Sequence, residues 1–117
     1  MKKESWFYLV IMLSVLIVRL NTFLYPRHLI IYGILIHHFW IGILLILIAI
    51  LFFRKNDNFI LIITGIGFGF VIDEFGFIIF GGGDFLQYWA LYSIISAAFL
   101  LIITYLFKEK IYKIITK

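Results

Sequence analysis

The sequence predicts an all-α integral membrane protein: a compact four-transmembrane-helix bundle, up-down-up-down, with both termini cytoplasmic. Composition is the first ground. Hydrophobic residues make up 65% of the 117 positions and charged residues only 14%, against roughly a quarter charged in a soluble domain. The second is length. Apolar stretches of about 20 residues or more follow one another with short polar breaks, each able to cross ~30 Å of hydrocarbon at ~1.5 Å per residue. The third is charge placement, because the basic residues gather at alternate breaks.

The first span covers about 6–25. The Met1-Lys2-Lys3 start has the charged beginning of a secretory signal, but no small-x-small cleavage site follows the apolar run, so it reads as an uncleaved anchor. Pro26 closes the span, since a proline cannot donate the next helical hydrogen bond. The second covers about 29–53 and ends at Arg54-Lys55-Asn56-Asp57-Asn58; the third, about 59–80, stops at Gly81-Gly82-Gly83-Asp84. The fourth covers about 85–107. Thus 1–107 reads as one transmembrane domain. Residues 108–117 form a basic interfacial tail whose Ile111, Ile114 and Ile115 suit a helix lying on anionic lipid. Loops this short make consecutive helices antiparallel neighbours.

Orientation follows from the cations. Lys2, Lys3, Arg54, Lys55, Lys108, Lys110, Lys113 and Lys117 fall on one side, and only Arg19 and Arg27 lie near the other. That bias predicts a multi-pass plasma-membrane protein with the lysine-rich side inward. The formal net charge of +4 therefore points to anionic lipid headgroups rather than nucleic acid. With no cysteine, thiol chemistry and cysteine metal clusters are excluded. The partners expected are the bilayer itself, a lipophilic substrate, and a homo-oligomer or larger membrane complex.

Ionisable residues inside the spans carry the functional signal, because each costs a few kcal/mol in hydrocarbon. His37 lies about 12 Å below the start of span two, Asp73 about 10 Å and Arg19 about 9 Å below the ends of theirs, counted at the helical rise. Span four adds Gln87, Tyr92 and Ser93 at a similar depth. Four spans thus place polar groups in one slab of the outer half of the bilayer, while the inner half holds little beyond Ser14, Thr64 and Thr104. Gly65, Gly69, Asp73 and Gly76 share one helix face, and small residues at such spacing admit a close neighbour. Asp73 should therefore point into the bundle, with Glu74 ~100° further round. Gly33 lies one helical turn before His37 and Gly42 one turn after His38, which leaves open the imidazole that faces inward.

The preferred chemistry is a divalent transition-metal site (Zn, Fe or Mn) made by His37, His38, Asp73 and Glu74. Neutral imidazoles and carboxylate oxygens suit these ions, and the ion supplies positive charge that two buried carboxylates need. His28 is an outer-surface candidate for a further ligand or hydrogen bond. With an open coordination position such an ion could activate water. Glu74, His38 and Arg19 then become catalytic candidates toward a lipid or lipophilic substrate, hydrogen-bonded by Gln87, Tyr92 and Ser93. One alternative is a proton- or cation-coupled small transporter using the same groups. Another is a non-catalytic subunit of a membrane complex, in which Arg19, Asp73, Glu74 and His37 form a structural charge network summing to zero. Gly81-Gly82-Gly83-Asp84 matches the GxGD of intramembrane aspartyl proteases in letters alone. It falls between spans and reads as a turn.

Overall fold

A computed structural model describes residues 2–24, 29–31, 34–36, 38–79 and 91–116. In chain order they form helix α1 (Lys3–Leu24), strands β1 (Leu29–Ile31) and β2 (Ile34–Ile36), and helices α2 (His38–Phe52), α3 (Asp57–Ile79) and α4 (Leu91–Thr116). The four helices make a compact bundle. Three of them, α1, α3 and α4, are long and apolar enough to cross a membrane, whereas α2 is a shorter apolar helix.

The expected second span, 29–53, is two different structures. Residues 29–31 and 34–36 pair as two antiparallel strands in the register Leu29↔Ile36, Ile30↔Leu35 and Ile31↔Ile34; the helix covers only His38–Phe52, 15 residues. At about 1.5 Å per residue α2 is some 22 Å long, short of the ~30 Å hydrocarbon thickness. The reason is local. An uninterrupted apolar run carries no helical period, and here it is rich in β-branched isoleucine, a composition that suits strand as well as helix.

The α2–α3 connection is built from ordinary capping chemistry. Asn56 Oδ1 accepts the Phe59 N–H at 3.1 Å, which satisfies one of the orphan donors in the first turn of α3. Asp57, also in that turn, places negative charge at the positive end of the helix dipole. Asp57 Oδ2 in turn accepts Lys3 Nζ at 2.8 Å, so the starts of α1 and α3 lie at the same end of the bundle.

α3 is the central helix, with eleven buried residues against four on α4. Glycines bring its neighbours in. A Cβ on Gly42 of α2 would stand 2.5 Å from the Gly67 carbonyl oxygen, and one on Gly67 would stand 2.7 Å from the Gly42 oxygen, so the two backbones touch. On the opposite face, Gly65 and Gly69 receive Val10 and Ser14 of α1, while Gly76 receives Ser96 of α4. The core is then Phe7, Ile11 and Val15 of α1, spaced four apart on one face, with Leu61 and Ile72 of α3 and Ile115 of α4. Phe7 meets Phe68 edge-on and Tyr112 at a tilt, each with ring centroids 5.7 Å apart.

α4 continues without a break through the basic segment to Thr116. Ile115 is buried there and Ile111 and Tyr112 pack on the core. The outer surfaces are apolar nearly throughout: Leu16, Ile17 and Leu20 on α1, Leu44 and Leu51 on α2, and Ile95, Phe99 and Ile102 on α4 are all exposed. A surface of this kind exceeds what a water-soluble monomer shows and matches lipid contact.

Candidate functional site: a buried charge network

At the end of the bundle opposite Lys3 and Asp57, all four helices deliver a polar group to one point. α3 supplies Asp73 and Glu74, with Asp73 fully buried and Glu74 3% exposed. α1 supplies Arg19. Its Nε donates to Asp73 Oδ1 at 2.7 Å, and its Nη2 donates both to the Asp73 carbonyl oxygen at 3.1 Å and to Ser93 Oγ of α4 at 3.0 Å. The guanidinium therefore ties three helices together through donors of one planar group.

α2 supplies His38, its first residue. Nε2 lies 2.7 Å from Asp73 Oδ2 and Nδ1 lies 2.6 Å from Glu74 Oε1. A neutral imidazole has one N–H and one lone pair, so it would set that lone pair against a carboxylate on one side. An imidazolium, donating at both nitrogens, meets both carboxylates at these distances. Two carboxylates thus face one guanidinium and one imidazolium, and the formal charges of these four groups cancel. The ring also packs edge-on against Phe70, with centroids 5.5 Å apart.

Glu74 has a second task. Its Oε1 also accepts the Phe39 backbone N–H at 3.2 Å. α2 begins beside the network within an apolar stretch of the chain, so its first-turn N–H groups have no intrahelical partner. In hydrocarbon such donors cannot turn to water. A carboxylate from the neighbouring helix satisfies one of them and sits at the positive end of the α2 dipole. This backbone partner is invisible to a search for side-chain motifs; a helix start inside an apolar run was the missing signal.

The expected metal site is corrected by this geometry. Among the described residues no group of three or more His, Cys, Asp or Glu side chains is arranged to hold a metal ion. His38 turns both ring nitrogens onto carboxylates, leaving no imidazole lone pair for an ion. Asp73 has one oxygen on Arg19 and the other on His38, and Glu74 Oε1 meets His38 and the start of α2. The zinc, iron or manganese cofactor, and the lipid chemistry that rested on it, are withdrawn. His37, His28 and Gln87, named as a ligand and as supporting contacts, lie outside the described residues.

The other expectations sort by element. Arg19, Asp73, Glu74, His38 and Ser93 converge as described. Tyr92 adjoins Ser93, and its carbonyl oxygen lies beside Gly76. The choice between His37 and His38 turns on the fold. Gly42 does face α3, at Gly67, and His38 one turn earlier shares that face; the helical period behind the Gly33–His37 spacing fails because β2 intervenes. The transporter alternative gains no support. Toward the other end Thr64 and Thr104 donate to the carbonyls of Ile60 and Leu100 in their own helices.

No family model, no curated protein and no solved structure matches this chain. The functional reading therefore rests on the chain's own geometry.

Proposed function

We propose that this is a non-catalytic multi-pass membrane protein, acting as a small subunit of a membrane assembly, whose Arg19–Asp73–His38–Glu74 cluster is a structural charge network. The single observation that carries this reading is that both carboxylates are met by basic side chains from other helices, Arg19 and His38; with His38 as the imidazolium the formal charges of the four groups cancel. Such a network defines one relative placement of α1, α2, α3 and α4. Apolar packing alone does this poorly within a bilayer, where lipid competes equally for every apolar face. Specificity of register is the best-attested use of buried charge. In this reading Arg19, His38 and Glu74 hold helices in place and do no chemistry on a substrate. The plasma-membrane placement with both termini cytoplasmic belongs to the same proposal, supported by the lysines that flank one end of the bundle.

A double-mutant cycle in detergent or bicelles tests it. Asp73→Asn leaves Arg19 and His38 with uncompensated charge and should lose about 3–5 kcal/mol of stability, the usual cost of breaking a buried pair. Adding Arg19→Gln should recover a substantial part. Strictly additive losses would show that the two residues do not act as a pair and would overturn the reading.

A further inference from the structure

We propose that the basic end of the bundle is a docking surface for anionic phospholipid headgroups, formed by Lys108, Lys110 and Lys113 of α4 together with Arg54 and Lys55 at the α2–α3 turn. The placement of the α4 lysines comes from the helix being continuous and held down. With Ile115 buried and Tyr112 against Phe7, the last turns are fixed to the bundle rather than free to swing. At about 1.5 Å per residue the 26 residues of α4 span some 39 Å, more than the ~30 Å hydrocarbon layer, so the end of the helix stands at headgroup level.

The rings mark where that level begins. Lys108 Nζ sits 3.7 Å over the Tyr105 ring and Lys110 Nζ 5.7 Å over the Phe107 ring, and both rings are about half exposed on the apolar outer surface. Ammonium groups seated over half-exposed aromatic rings put cations and amphipathic rings side by side at one level, as the membrane–water interface favours.

A second cationic group stands at the same end, since the α2–α3 turn leads into Asp57, which pairs with Lys3. There the last apolar residues of α2, Ile50 to Phe53, lead directly into Arg54, Lys55 and Asn56 around an open hollow of about 430 Å³. Apolar side chains next to two cations suit a lipid, whose acyl chain and phosphate are joined in the same order. Among the described residues none of these five cations is ion-paired with a carboxylate. Charge complementarity and the apolar surround together select a lipid phosphate over a soluble anion.

The test places the purified protein in nanodiscs of mixed phosphatidylglycerol and phosphatidylcholine and measures the lipids retained on it by native mass spectrometry. Phosphatidylglycerol should be enriched at least about threefold over its bulk share, and the enrichment should fall when salt rises from about 0.05 to about 0.5 M. Lys108→Gln/Lys110→Gln/Lys113→Gln and Arg54→Gln/Lys55→Gln should each lower the enrichment, and the matching lysine-to-arginine variants should keep it. Retention in proportion to bulk composition would overturn the proposal, as would a preference indifferent to salt. Displacement of the lipid by millimolar inorganic phosphate would assign the surface to a soluble anion instead. Should the glutamine variants fail to insert, the salt titration on the unaltered protein still decides the matter.

Discussion

Asp73 is the residue on which the network turns, because its two oxygens meet two cations from two helices while the residue has no exposed surface. Glu74 is less isolated in its work, sharing one oxygen between the imidazolium and a backbone N–H. Replacing Glu74 with Gln keeps an acceptor for Phe39 but removes the charge. The expected loss of stability is about 1–3 kcal/mol, smaller than for Asp73→Asn, as measured by chemical or thermal unfolding in detergent. His38 gives a direct spectroscopic check. Nitrogen-15 NMR of histidine-labelled protein at neutral pH should show both ring nitrogens of His38 protonated, and a neutral-tautomer spectrum would remove one of the two bridges. At this scale the sequence was informative about identity and poor about partners. Asp73, Glu74, Arg19 and Ser93 could be named because ionisable or polar groups stand out in apolar spans. The metal expectation failed because residue type alone does not say whether a ring nitrogen faces an ion or a carboxylate.

At the scale of the element, α2 is the instructive case. It begins at the network and packs on α3 through the Gly42–Gly67 backbone contact. A methyl at either glycine would drive into a carbonyl oxygen at 2.5 or 2.7 Å, contacts that only backbone movement can relieve. Gly67→Ala should therefore separate α2 from α3 and loosen His38 from both carboxylates, costing about 1–3 kcal/mol as overpacked cores do. Faster hydrogen exchange at the start of α2 than at the centre of α3 should accompany it. Asn56→Ala removes the cap on α3 and should cost about 1 kcal/mol without touching the network; the His38 spectrum should stay unchanged while the melting temperature falls. Helix boundaries were legible where polar or capping residues punctuate the chain, as at Arg54 to Asp57. They are illegible where apolar residues run on without a break, as along the paired strands 29–31 and 34–36, where no helical or strand period distinguishes the two structures.

Over the whole molecule, two polar regions bracket an apolar bundle. The charge network joins the helices near one end, and the Lys3–Asp57 contact and the lysines of α4 lie at the other. The exposed pair at 50% and 59% side-chain accessibility belongs to a class that contributes little to stability. Raising salt should accordingly leave overall stability nearly unchanged while weakening lipid association at the basic end. Removing divalent ions makes a separate check. Protein purified in EDTA should unfold at the same temperature as protein purified without it, since the donors of the network are taken by one another.

The sequence by itself determined the class of the protein: apolar helices of membrane-crossing length, a sided distribution of cations, and a small set of buried ionisable residues. These are matters of composition and spacing, and hydrocarbon tolerates few alternatives to them. Only the tertiary structure decided what the ionisable residues do. It turned His38 so that both nitrogens meet carboxylates, carried Arg19 across to Asp73 and Ser93, and started α2 beside Glu74. Each of those outcomes depends on which helix faces which, and helix adjacency is set by close glycine contacts between segments far apart in the chain. One residue's step around a helix separates a ligand from a counter-ion, and the order of letters does not contain that angle.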